Sequence, residues 1–409
     1  MRLATFLFLT TFAAYGQLQT IMEAETAFVT KDYARYAVLG EQLLPRTRHP
    51  NILYRLAQAY ASLGETEKSL TLLNELASRG VSIDASKNDV LATFHQDTRF
   101  AAVFQKFAAN ATKVERSVPA FSLPDKQLIP EGIAVDAKTG DFFVSSLAQW
   151  KVIKRNQSGS VQDFVGANQY GIWSTLGMKV DPTGKELWVC SAAEFDSLNG
   201  YSGIFVFDLK TGTLKKKFIL DNKAEQHLFN DIVIDMQGNA YFTDSKPGKL
   251  FRIPKGKEQV EEMSAAFLYP NGIAIDDSGE NLYVADYTGL TRVHLSTNTF
   301  SKVNDNGVTF LQGIDGLLFY KNSLIALQDT GNKDDRVVRF HLEQSGSAIK
   351  KAEILQSYRD DFVIPTTGAI YKGHYYYIAN SFLRNLQPDR KIVQREVLKE
   401  PLILKVPLR

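Results

Sequence analysis

The chain has 409 residues, 44% of them apolar, with 47 basic residues against 45 acidic ones. That length accommodates two domains with cores of their own, and a formal charge of +2 gives no field to hold nucleic acid or an anionic membrane surface. The one cysteine, Cys190 in "LWVCSA", has no partner in the chain and reads as a buried packing residue.

Residues 1–16, "MRLATFLFLTTFAAYG", join one positive charge at Arg2 to an apolar run from Leu3 to Ala14. They close on Ala14-Tyr15-Gly16, the small-x-small pattern of a signal-peptide cleavage site. The run is short for a bilayer, so the expectation is an exported protein, periplasmic or secreted, with no membrane span in the mature chain.

From 17 to 115 the apolar period is helical. Leu53, Leu56, Ala57 and Tyr60 lie three or four apart, Gly64 interrupts, and Leu70, Leu72, Leu73 and Leu76 resume. Helices of this length joined by a Leu-Gly-Glu turn resemble a tetratricopeptide repeat, though only about two units are visible where three are usually needed. The region is therefore expected to lean on the carboxy-terminal domain, either as a packing cap or as a groove for a protein or peptide partner.

After residue 116 short β patterns take over. One strand recurs as "GIAVD", "GMKVD", "DIVID", "GIAID", "GLLFY" and "GAIYK", starting at Gly132, Gly177, Asp231, Gly272, Gly316 and Gly368. The spacings are 45, 54, 41, 44 and 52 residues, each sufficient for the four strands of one propeller blade. The predicted fold is an all-β six-bladed β-propeller over 116–409, preceded by a small α-helical, tetratricopeptide-like region. The sixth unit lacks an outer strand, and "SVPAFSL" at 117–123 is a spare that would close the ring.

The first strand of every blade lines the central channel, so equivalent positions form a ring at one mouth. The residue before each strand start is Glu131, Leu176, Asn230, Asn271, Asp315 or Thr367. Two carboxylates and two amides converging on one axis suit a hard divalent cation, calcium first, with zinc or manganese as the alternatives. Asn-Gly and Asp-Gly are also common hairpin-turn dipeptides, so turn chemistry competes at any single position.

Glu131-Gly132, Asn230-Asp231, Pro270-Asn271-Gly272 and Asp315-Gly316 resemble the metal motifs of the gluconolactonase, senescence-marker-protein and luciferin-regenerating-enzyme-like superfamily. These are calcium-dependent six-bladed propellers, with paraoxonases and strictosidine synthases as relatives. The resemblance covers roughly residues 117–409. It implies that Glu131, Asn230, Asn271 and Asp315 hold a divalent ion, that the activity is lactonase-like, and that Asp315 is a candidate base. The pattern departs from the family in three places. Ile133-Ala134-Val135 follows Glu131-Gly132 where a proline and an aromatic are usual, Leu228 stands where a substrate-contacting arginine would, and Leu176 stands where paraoxonases place a histidine.

The expected reaction is the opening of a small lactone or ester by water, with the cation polarising the carbonyl. His227 is a second candidate base from the loop before Asn230, Asp231 and Asp244 are candidate supports, and Tyr170 and Trp173 are candidate pocket walls. The alternative function is a non-catalytic, calcium-stabilised propeller that binds a protein, peptide or glycan.

Overall fold

The structure, a computed structural model, describes residues 19–84, 88–92, 94, 96–193, 200–221, 225–264, 267–329 and 335–409. The expected signal segment at 1–16 lies outside the described residues. Among those residues no helix is long and apolar enough to cross a membrane.

The amino-terminal part is helical. After a helix covering 19–29 come Tyr33–Leu43, Pro50–Ser62, Thr66–Ser78, the single turn Asp89–Ala92, and Thr98–Asn110. Their apolar stripes meet in one core containing Leu53, Leu56, Leu73, Leu76, Phe100 and Phe107. Gly64 ends Pro50–Ser62 with a φ of +78°, a conformation that costs other residues a steric penalty. At the start of that helix Pro50 occupies the first turn and His49 Nδ1 accepts from the Asn51 amide at 3.2 Å.

The rest is a ring of six four-stranded antiparallel sheets. The innermost strands are Ile133–Val135, Ser174–Val180, Phe229–Ile234, Ile273–Ile275, Ile314–Phe319 and Gly368–Tyr371. In blade six the outermost strand is Val118–Ser122, paired antiparallel with Leu402–Pro407 from the other end of the propeller. Joining first and last strands in one sheet leaves the ring without an open seam. Cys190 is fully buried in blade two among Trp188, Ile204 and Phe229, which is packing rather than chemistry.

The helices dock on blades four and five. Phe310, from the propeller, belongs to the helical core, and the Arg79 guanidinium lies 3.8 Å from its ring centre. Arg79 also donates to the Thr309 carbonyl and pairs with Asp305, while Arg336 reaches the Gly80 carbonyl at 3.1 Å. Beside these, Thr47 Oγ1 donates to the Tyr287 carbonyl at 3.0 Å, and the His49 ring stacks on Tyr287 at 4.5 Å and 13°. The chain then passes into the propeller along blade five, where Ser357 N donates to the Val114 carbonyl at 3.0 Å.

This docking carries a pH dependence. Burial, reinforced by the nearby Arg55 charge, draws the His49 imidazole down to about 4, whereas an unfolded histidine titrates near ~6.5. Between those values the unfolded chain binds a proton that the folded chain refuses. Stability is thus complete above about pH 6.5 and declines as the pH falls toward 4, by about 3 kcal/mol in all. Urea unfolding at pH 7 and near pH 4.5 checks this against His49→Asn, which retains a cap acceptor and does not titrate. The variant should lose less stability than the parent over the interval, and equal losses would remove His49 from the account.

Candidate functional site

The ring is assembled by one repeated contact. A Cβ on Gly132 would sit 2.1 Å from the Leu176 carbonyl oxygen of the next blade, one on Gly177 2.6 Å from that of Asn230, and one on Gly272 2.3 Å from that of Asp315. On Gly316 it would lie 2.8 Å from the Thr366 carbonyl oxygen. None of these four glycines has a positive φ, so they are present for close approach of neighbouring backbones and not for turn conformation. The turn reading of the Asn-Gly and Asp-Gly pairs therefore fails at these positions.

Hydroxyls complete the tethering. Thr366 and Thr367 each donate to the Glu131 carbonyl at 2.8 Å. Thr243 donates to the Asn271 carbonyl at 2.8 Å, and Ser245 to that of Pro270 at 2.6 Å. The rim backbone is thereby fixed while several rim side chains keep unused hydrogen-bonding capacity. Asn230 Nδ2 donates to Ser245 Oγ at 2.9 Å, which assigns its amide and leaves Oδ1 as the acceptor.

Two oxygens at the rim are buried without any hydrogen-bond donor: Glu131 Oε2 and Asn271 Oδ1. Such groups are costly to bury alone. Burial raises the Glu131 carboxyl well above its usual range, and the Asp315 and Asp231 charges raise it further. Burial likewise pushes Asp315 up to about 7, with a hydrogen bond from Asn271 opposing and Asp231 reinforcing the shift. Asp231 itself is pushed up to about 6, chiefly by burial, with Lys179 opposing. Glu131, Asn271 and Asp315 are thus brought together with Asp231, and the Ser245 hydroxyl links Asn230 to the Pro270 carbonyl beside Asn271.

This donor set fits a hard cation. Orphaned carboxylate and amide oxygens and mutually repelling carboxylates are what a divalent ion would relieve. Among the described residues no group of three or more His, Cys, Asp or Glu is arranged to hold a metal ion, so the amide oxygens are indispensable to such a site. The other two rim positions are closed, by buried Leu176 and by Thr367, whose hydroxyl is already engaged.

A cavity of about 1340 Å³ opens over this rim. Asn271 and Asp315 line it together with Tyr269, Tyr287 and Arg384, and the helical region adds His49, Asn51 and Arg55. The helical contribution was not readable from sequence, since nothing in "HPNILYR" marks which blade it meets. The pair "YP" before Asn271 was the one local signal, an aromatic beside a rim position.

The remaining sequence candidates lie elsewhere. His227 is buried, with Nδ1 2.6 Å from Asp244 Oδ2, and Asp244 Oδ1 accepts from the Leu228 amide at 2.7 Å. Its ring packs near Phe229 and Phe251, and it does not line the cavity. Trp173 packs edge-on against Tyr201 and Phe205, and Tyr170 lies 6.1 Å from Phe207. Neither lines the cavity, so core packing accounts for both. Of the proposed supports, Asp244 orders the loop before Asn230 and Asp231 reaches the channel.

Residues 166–306 match the family described as SMP-30/Gluconolactonase/LRE-like region. The matched stretch runs from the end of blade one to the segment between blades four and five. Among solved structures, the propeller is similar to regucalcin of Agrobacterium tumefaciens, described as a calcium-binding protein, at 16% identity and a TM-score of 0.50, covering 70% of this chain and 93% of that one. It is also similar to aldose sugar dehydrogenase of Streptomyces coelicolor at 12% identity and a TM-score of 0.50, covering 71% and 97%. A gluconolactonase of Xanthomonas campestris aligns at 15% identity and 0.47, over 74% and 93%. No curated protein matches the chain in sequence. A calcium-binding protein and a dehydrogenase share the architecture, so the likeness establishes the fold and leaves the chemistry to the site.

The rim predicts an unusual pH response in metal-free protein. An unfolded aspartate releases its proton near ~3.9, whereas folded Asp315 holds its own up to about 7. The folded state then binds more protons between those values, and stability falls as pH rises through them. Asp315→Asn should flatten that decline in chelator-treated protein, and saturating calcium should flatten it in the parent. Thermal midpoints measured from pH 4.5 to 8 decide the matter, an identical slope in the variant being the contrary result.

Proposed function

We propose that the protein is an exported, metal-dependent hydrolase that opens a lactone or ester at the mouth of the propeller channel. The observation that carries this reading is the pair of buried, donorless oxygens, Glu131 Oε2 and Asn271 Oδ1, at the edge of a cavity that Asn271 and Asp315 line. The apolar segment at 3–14, outside the described residues, supports export.

Glu131, Asn230, Asn271 and Asp315 would hold the ion through oxygen alone, which favours calcium over zinc. When bound, a divalent cation supplies Lewis acidity toward the substrate carbonyl and compensates the rim carboxylates. Asp315 is the group best suited to take the proton from an attacking water. It borders the cavity, so a water standing there would lie within its reach. His227 is less suited, because its Nδ1 is committed to Asp244 and it stands away from the cavity.

The cavity walls bear on the substrate. Tyr269 and Tyr287 present aromatic bodies with polar ends, and Arg55 and Arg384 bring guanidinium groups able to bind carbonyl or carboxylate oxygens. Arg55 reaches the wall already paired with Glu25 and lying over Phe28, so it is held in place before substrate arrives.

Two outcomes test the reading. Calcium at a hundredfold excess over Kd should raise the thermal midpoint by about 3 °C in a chain of this size, and chelation should reverse it. A screen of lactones and aryl esters with calcium present should reveal turnover that Asp315→Asn lowers by about a hundredfold or more. Equal turnover in variant and parent would overturn the assignment of Asp315.

A further inference from the structure

The six innermost strands, together with the rim residue before each, carry four charged side chains: Glu131, Lys179, Asp231 and Asp315. Lys179 is the single cation among them. It sits on Ser174–Val180, two residues beyond Gly177. Met178, between them, packs with Ala134 and Phe143 of blade one. Gly177 and Lys179 therefore share the opposite face of the strand, the one turned toward blade three.

Asp231 occupies that face. Its Oδ1 lies where a Cβ on Gly177 would come within 2.5 Å and accepts from the Ile232 amide at 2.9 Å. Its Oδ2 faces the Ile273 amide of blade four at 3.4 Å. The carboxylate thus spans blades two, three and four, at the repeat position where four of the other blades hold glycine in close contact with a neighbour. Lys179 follows Gly177 by one pleat on that face, about 7 Å along the strand, and Gly177 is the residue against which Asp231 Oδ1 rests, so the two charges lie within electrostatic reach of each other. The Asp231 charge accordingly opposes the downward shift that burial imposes on the Lys179 ammonium.

We infer that Lys179 sets the valence of the cation the rim accepts, by cancelling the charge of Asp231 and leaving Glu131 and Asp315 as the two unbalanced negative charges. Three carboxylates alone would suit a trivalent ion as well as a divalent one. With the ammonium present a divalent ion brings the channel to neutrality, and a trivalent ion of similar radius leaves an uncompensated positive charge in a region of low dielectric. This inference rests on the proposed metal site at the rim. It adds a selectivity determinant that does not itself ligate the ion.

The test uses the full chain, stripped by chelation, with calcium and terbium as the two probes, titrated calorimetrically and followed by terbium luminescence. The ratio of terbium to calcium affinity should rise by about tenfold or more in Lys179→Met, the effect of removing one charge at channel distances. Lys179→Arg should keep the parental ratio. The double variant Lys179→Met, Asp231→Asn restores the net charge and should return the ratio to that of the parent, and Asp231→Asn alone should shift it in the opposite direction. An unchanged ratio in folded Lys179→Met would overturn the inference. Should that variant not fold, an unchanged ratio in Asp231→Asn would do the same. Absence of calcium and terbium binding in the parent would instead overturn the metal reading, and this inference with it.

Discussion

Everything at the channel mouth depends on how closely neighbouring blades approach there. The rim carbonyl of one blade lies against a Cα of the previous one, at a distance no side chain would allow. Glycine stands at five of the six equivalent positions and at four of them permits that approach, while threonine or serine hydroxyls hold the carbonyls of Glu131, Pro270 and Asn271. The rim side chains are consequently presented on a frame that cannot relax to bury or solvate them separately. That rigidity is why Glu131 and Asn271 can hold oxygens without donors, a situation a looser loop would resolve by turning away.

Much of this was legible in the sequence because the propeller repeats and the repeat is phased. A single "PNG" says hairpin turn. The same phase in "PEG", "FND" and "IDG" says a ring position, and the residues preceding the small one are then comparable. The physical cause of the glycine was not legible, since turn chemistry and close backbone approach select the same residue. Only the backbone angles and the facing carbonyls separate them. His227 shows the opposite failure. A loop histidine three residues from Asn230 has the right sequence separation for the mouth, yet Asp244, at the end of the next strand, draws it into the blade interior. Sequence proximity fixes distance along the chain but not the direction a loop side chain takes, and a buried acceptor decided that direction.

The helical region was legible as helices and not as part of the site. Its period requires an apolar core, and that core is found with Phe310 of the propeller inside it. What no periodicity conveys is the docking surface, which is made by polar and aromatic contacts from residues at helix ends: Thr47 and His49 on Tyr287, and Arg79 on Thr309, Asp305 and Phe310. Each is ordinary in isolation and acquires meaning only from its partner some two hundred residues away.

The docking and the departures from the family pattern bear on one another. The resemblance implies a substrate-contacting arginine at position 228, where this chain has a leucine that is 4% exposed and packed in the blade-two and blade-three core. A buried leucine gives no purchase on a polar ligand, so under the proposed function recognition would fall to the cavity wall. There the propeller offers Arg384 from blade six and the helices offer Arg55 and Asn51. Cationic and amide groups thus stand on the cavity wall, part of it a roof of helical residues that a propeller alone would not possess. A roof attached through Tyr287 is coupled to the rim, because the residue that receives His49 and Thr47 also lines the cavity beside Asn271 and Asp315. Under the proposed function, specificity would then be a property of the joint between the two regions, and the rim would supply the chemistry that any substrate admitted through that joint meets.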